Sequence, residues 1–193
     1  MNLFTIGYST YSTTALVQVL QKYSIDVVAD VRSQPYSQFK PEFNREVLCK
    51  NLKKHDIDYV FLGDLCGARI NAKECYINGV ADYKLISKHS LFQKGLMKIK
   101  DGLKKHNIVL LCSEKDPLTC HRAILICRDL KSSNIEISHI LDDGELESHQ
   151  SMESRLMKLF NLDHPDLFRT EEERLYEAYD RQGQKIAFHM VSD

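Results

Sequence analysis

Apolar residues along this chain fall into short, dense runs separated by longer stretches in which they return every three or four positions. The runs at residues 3–6, 26–31, 59–62, 107–111 and 135–140 are rich in β-branched, leucine and aromatic side chains and end at polar residues, so each predicts a buried strand. Between them the spacing turns helical. Leu16, Val19 and Leu20 share one face of a helix that starts near Ser12, and Val47, Leu48 and Leu52 one that Asn44 can cap. Helices are likewise predicted over 82–88, 91–105, from 123 onward through Ile124, Cys127 and Leu130, over the amphipathic segment 147–160, and over 171–181. Strands alternating with helices across short connections build parallel βαβ units with right-handed crossovers. The expected class is therefore α/β, a three-layer Rossmann-like (flavodoxin-like) fold whose mostly parallel sheet is flanked by helices. The pattern does not set the strand order.

No Pro- or Gly-rich tract, charge block or low-complexity segment divides the 193 residues, so one domain over 1–193 is expected. With 26 Lys+Arg against 27 Asp+Glu the net charge is -1. That gives no global electrostatic case for nucleic acid as a partner, and only a local basic patch would supply one. No apolar run is long enough to span a bilayer, and the first residues lack a basic, then apolar, leader pattern, so the expectation is a cytoplasmic protein without a membrane partner. The six cysteines are then expected as reduced thiols rather than three disulfides. Cys49 and Cys127 lie in apolar helical patterns, where a free cysteine packs as a small hydrophobe. Cys66 and Cys75 bracket a region, 63–79, that carries three glycines and reads as a functional loop more than as inert packing.

The chemistry concentrates at residues 112–122, CSEKDPLTCHR, between the apolar run 107–111 and a helical pattern. Such a corner beyond the C-terminal end of a parallel strand is where open α/β sheets bind ligands. If a helix starts near Thr119, the hydroxyl caps it and Cys120, His121 and Arg122 occupy its first turn. Its free N–H groups, the helix dipole and the Arg122 fork would then form an anion cradle. Arg32, just after the 26–31 strand, can close on the same anion, with Tyr8, Ser9, Ser33 and Ser37 as hydroxyl donors. Each of those serines, taken alone, reads equally as a loop hydroxyl that satisfies its own turn. Cys120 at a helix start beside His121 and Arg122 is placed for a lowered thiol pKa and nucleophilic attack, or simply for close packing. Glu114 offers general acid–base chemistry or a charge partner for Arg122 or Arg32; His121 offers acid–base chemistry or a loop hydrogen bond. Asp30 reads as an orienting partner for Arg32. Cys112, at the end of an apolar strand, reads as core.

Cys112, Cys120 and His121 are soft donors, and His139 is a further candidate, but the Cys-x7-Cys-His spacing lacks the Cys-x2-Cys knuckle of common zinc sites, so no metal is expected. Nine residues, Pro117 among them, separate Cys112 from Arg122, unlike a compact rhodanese loop. Leu118 stands where a tyrosine phosphatase would carry arginine, and no Gly-rich phosphate or dinucleotide loop is present.

Taken in order, TIGYS (5–9), DVRSQPYS (30–37), YVFLG (59–63), LCSEKDPLTCHR (111–122) and His139-Ile140 resemble the motifs of the domain of unknown function 488 family over almost the whole chain. The resemblance implies a compact α/β domain with its motifs on strand-end loops and implies no particular reaction or cofactor. The residues themselves favour an enzyme, a hydrolase or transferase that binds a phosphate-bearing small molecule, nucleotide or nucleic-acid end. Glu114, Cys120 and His121 would be catalytic, and Tyr8, Ser9, Arg32, Ser33, Ser37 and Arg122 would bind. A non-catalytic ligand-sensing or nucleic-acid-associated module, and thiol-redox or rhodanese-like sulfur transfer, remain as alternatives.

Overall fold

Strand β6 (Ile108–Cys112) shows how the layers arise. All five residues are buried and they alternate: Ile108, Leu110 and Cys112 join the apolar cluster on one face of the sheet, Val109 and Leu111 the cluster on the other. A strand covered on both faces favours apolar side chains at every position, hence the unbroken run 108–111. The computed structural model describes residues 1–131, 134–165 and 167–190.

In chain order the main elements are β1 (Asn2–Gly7), α1 (Thr13–Lys22), β2 (Val27–Asp30), α2 (Arg45–Lys53), β3 (Asp58–Phe61), α3 (Gly63–Cys66), β4 (Tyr76–Ile77), β5 (Val80–Ala81), α4 (Tyr83–Lys88), α5 (Ser90–Leu103) and β6. There follow α6, a π-helical turn (Arg122–Cys127) continued by one α-turn (Arg128–Leu130), then β7 (Glu136–Ile140), β8 (Leu146–Ser148), α7 (His149–Leu159) and α8 (Glu171–Ile186). The six-stranded sheet runs β3-β2-β6-β1-β7-β8, parallel except for the edge strand β8.

One face is covered by α1 and α2, whose Leu16, Leu20, Leu48 and Leu52 pack on Ile6, Val28, Val109 and Leu111. The other carries the helices from α4 to α8, packed through Ile86, Phe92, Ile99, Leu156 and Ala178 onto Leu3, Ala29, Leu110 and Ile137. Each such leucine contributes roughly 1.5–3 kcal/mol by leaving water. The result is the expected three-layer α/β, Rossmann-like architecture. Among the described residues no helix is long and apolar enough to cross a membrane.

The chain leaves β1 and β2 toward the first face and β6 toward the second. Because β6 lies between β1 and β2, a crevice opens over its C-terminal end, where ligands bind in open α/β sheets. Register brings the three ends level, with Gly7 opposite Cys112 and Asp30 opposite Leu111.

Besides β8, which takes the first residues of the helix expected over 147–160, two features depart from the sequence expectations. Region 63–79 is not a long loop: it holds α3 and the first strand of a β4–β5 hairpin, turned at Asn78-Gly79 with φ of 51° and 78°. Asn-Gly suits such a turn because both residues tolerate positive φ. The C-terminal segment then adds to this hairpin: Ala81 N donates to Phe188 O, Met190 N to Gly79 O, and Val80 bridges His189.

Candidate functional site

The loop after β6 is held from three sides. Gly7 ends β1 so close to it that a Cβ there would lie 1.7 Å from Glu114 O, and Ser9 N donates to Ser113 O at 3.1 Å. The Arg122 guanidinium, fully buried, donates to Glu114 O at 2.5 Å and Lys115 O at 3.1 Å, while its Nε reaches Thr5 Oγ1 at 3.3 Å. Arg122 thus organises the loop from beneath, and its fork is not presented to the crevice. The helix start also differs from the expectation near Thr119. Pro117–Thr119 is a 3-10 turn capped by Asp116, Cys120 is extended, and α6 begins at Arg122. Its first N–H groups are buried and taken, Arg122 N by Cys120 Sγ at 3.4 Å and Ala123 N by Cys120 O at 3.1 Å, so no open cradle of amides forms there. π-helical turns recur at functional sites. Here the turn follows directly on Cys120 and His121.

This scaffold makes four side chains converge. Glu114 Oε2 accepts from the Cys112 thiol at 2.9 Å and from the Cys120 thiol at 3.0 Å, and its Oε1 accepts from Ser113 Oγ at 3.0 Å. His121 donates from Nε2 to Val31 O at 3.0 Å and turns Nδ1 toward both sulfurs, at 3.8 Å from Cys112 and 3.9 Å from Cys120. One donor atom from each of Cys112, Glu114, Cys120 and His121 lies within 4.8 Å of every other. Burial opposes charge on Glu114, yet the two thiol hydrogen bonds hold its carboxyl down at about 2. Burial likewise raises the Cys120 thiol, and the Cys112 hydrogen bond, the Arg122 charge and His121 outweigh it, bringing it down to about 6. Cys112, hydrogen-bonded to Cys120 and desolvated, is pushed well up. Of the two thiols, Cys120 is the more acidic, and both hydrogen-bond the Glu114 carboxylate.

Cys112, Ser113, Glu114 and His121 form one wall of a polar cleft of about 580 Å³; Tyr8, Arg32, Ser33, Ser37 and Arg69 form others, and residues 186–189 close the side. Arg32 is buried and held by Asp30, as its position in the sequence suggested. Nη2 lies 2.6 Å from Asp30 Oδ2 and 3.0 Å from Phe43 O, Tyr59 OH donates to the same carboxylate oxygen at 2.6 Å, and the guanidinium lies 4.9 Å from the Tyr8 ring. Arg69 differs in being exposed. It lies 4.3 Å over the Phe188 ring and donates to Gln34 Oε1 at 3.2 Å, with no carboxylate partner among the described residues.

Of the residues singled out in the sequence, Tyr8, Arg32, Ser33, Ser37, Glu114 and His121 line this cleft. Ser33 Oγ accepts from Arg69 N and Ser37 Oγ from Phe39 N and Lys40 N, so both hydroxyls shape loops. Ser9 is exposed outside the lining, Cys120 is only 1% exposed and lies behind it, and Cys112, read as core, is on the wall. His139, considered as a fourth soft donor, bonds Thr5 and His149 instead. Cys66 and Cys75 are buried, and burial pushes the Cys66 thiol up to about 12. Sequence reasoning missed Arg69 and His189. Arg69 follows the Gly67 turn in a region already marked for function, a signal that was available; His189 arrives through strand pairing that only the fold reveals.

Residues 12–128, more than half of the chain, match the family Domain of unknown function DUF488. No curated protein and no solved structure matches the chain.

Proposed function

Since the chain belongs to the family Domain of unknown function DUF488, whose description assigns no reaction, we propose from the geometry that it is an enzyme acting on a small phosphate-bearing anion, a metabolite or nucleotide, in the cleft over β1, β6 and β2. The observation that carries this reading is that one polar cleft at the strand ends brings Arg69, a cation with no carboxylate partner among the described residues, together with a thiol–carboxylate–imidazole cluster. Arg69 supplies a charge-assisted fork for the anion, and Arg32, neutralised by Asp30 and seated over the Tyr8 ring, forms a fixed wall behind it. In the metal-free cluster Glu114 and His121 stand on the cleft wall as its candidate acid–base groups, and Cys112 is the thiol that lines the cleft.

The test is a panel of inorganic phosphate, sugar phosphates and mononucleotides, scored by thermal shift and by 31P NMR for turnover. At least one is expected to raise Tm, with Arg69→Ala weakening it about 10- to 100-fold, the worth of one charge-assisted hydrogen bond of about 1.5–3 kcal/mol. Equal binding by Arg69→Ala, or no response to any member of the panel, overturns the reading. Binding without any turnover favours the non-catalytic sensing module.

A further inference from the structure

The spacing that argued against a zinc knuckle measured distance along the chain; the fold shortens it by turning the loop back under Gly7 and onto Arg122. We propose that Cys112, Glu114, Cys120 and His121 bind one divalent transition-metal ion of zinc type, through two thiolates, one carboxylate oxygen and the imidazole Nδ1.

Four observations support this site. First, zinc bonds of about 2.0–2.3 Å to N, O and S place tetrahedral ligands about 3.3–3.8 Å apart. The sulfurs already stand 3.8 and 3.9 Å from Nδ1, and the sulfur–carboxylate distances of 2.9 and 3.0 Å need only open by about half an ångström. Second, His121 donates its Nε2 proton to Val31 O, which fixes the ring and turns Nδ1 on the sulfurs, as a backbone carbonyl does for a metal-bound histidine. Third, the charges close. Two thiolates and a carboxylate around a divalent ion leave one net negative charge, and the buried Arg122 guanidinium, with no carboxylate in ion-pair contact among the described residues, supplies one positive. Fourth, two thiolates and an imidazole are a soft set that selects zinc over magnesium or calcium. No such cluster needs its members adjacent in sequence, and none of the four is spent elsewhere in the core.

The binding step is a ligand exchange without redox change. The ion enters, metal–sulfur, metal–nitrogen and metal–oxygen bonds form, and two protons leave to solvent: those of both thiols, or those of Cys112 and of imidazolium where Cys120 is already thiolate. Glu114 is the least buried of the four and faces the cleft, so it is the ligand a substrate oxygen or water would displace. That last clause rests on the cleft reading above; the metal site itself does not.

The experiment uses the full chain, reduced and stripped with a chelator, with no cleft ligand added. Titration with Co2+ is expected to give thiolate-to-metal charge transfer and the intense d–d bands of a tetrahedral site, saturating at one ion per chain and displaced by Zn2+. Zn2+ should raise Tm and release two protons per ion in weak buffer. Cys112→Ser and Cys120→Ser should each weaken Zn2+ at least 100-fold and cut the charge-transfer intensity, Glu114→Gln should weaken it about 10- to 100-fold, and Cys66→Ser should match the parent. Should a serine variant unfold, proton release and thiol protection by Zn2+ in the parent protein still decide. Featureless Co2+ spectra, no proton release, undiminished binding by both serine variants, or a Cys112–Cys120 disulfide that Zn2+ does not prevent would each overturn the site. Arg69→Ala leaves metal binding intact, so loss of the anion reading and loss of the metal reading give different results.

Discussion

Gly7 and Asp30 carry different kinds of residue-level constraint. A Cβ at Gly7 would meet the Glu114 carbonyl, itself fixed by Arg122, so relief requires moving the reactive loop. Gly7→Ala is expected to cost about 3 kcal/mol or more in urea unfolding and to abolish the cluster's metal affinity together with stability. Asp30 is fully buried and carries the Arg32 guanidinium and the Tyr59 hydroxyl. Asp30→Asn leaves a buried guanidinium without its counter-charge, for an expected loss of about 3–5 kcal/mol, whereas Tyr59→Phe removes one hydrogen bond and should cost only about 1–2 kcal/mol by the same measurement. The Asp30–Arg32 pair was legible in the sequence because i and i+2 at a strand end are neighbours whatever the fold does. The destination of Arg122 was not, since its acceptors are backbone carbonyls of a loop whose path no side-chain pattern encodes.

Secondary-structure elements are joined by a single directed chain of hydrogen bonds on the α7–α8 side of the sheet. Arg122 Nε donates to Thr5 Oγ1 on β1, leaving the Thr5 hydroxyl to donate to His139 Nδ1 on β7. His139 Nε2 then donates to His149 Nδ1 and His149 Nε2 to Tyr179 OH, which donates to Glu153 Oε1, where Lys131 also binds. Every imidazole in the series has one donor and one acceptor, so each is neutral, and adding a proton to either breaks the direction of the chain. Burial, and for His139 the neighbouring His149 as well, lowers His139 to about 2; burial lowers His149 to about 4. The unfolded chain takes up these protons below about pH 6.5 and the folded chain does not, so stability is full above 6.5 and falls as pH drops toward 4, by about 1.4 kcal/mol per unit for each histidine. A Tm series from pH 7.5 to 5 should fall steeply for the parent and about half as steeply for His149→Gln; parallel curves would remove His149 from the account. The strands and helices of this network were visible as apolar periodicity. Its histidines carried no such signal, because a polar residue at an inward strand position gains its meaning from the element packed above it.

Across the whole molecule, the cleft is closed by the C-terminal segment, which pairs with β5 and lays Phe188 beneath Arg69. Phe188→Ala should leave the sheet intact, costing about 1–2 kcal/mol of stability, and should weaken anion binding severalfold through a less fixed Arg69, a change read by titrating phosphate against both proteins. The sequence by itself determined the α/β class, the five parallel strands with most of the helices around them and the concentration of reactive groups after β6, because each follows from periodicity and composition within a short window. Only the tertiary structure decided which of those groups face one another. Packing turned Arg122 inward, set Cys112 on the cleft wall with Cys120 behind it, brought Arg69 and His189 from distant segments, and closed Cys112, Glu114, Cys120 and His121 into one cluster. Convergence of that kind depends on strand order and on the path of a loop held by backbone hydrogen bonds, and neither leaves a periodic trace in the chain.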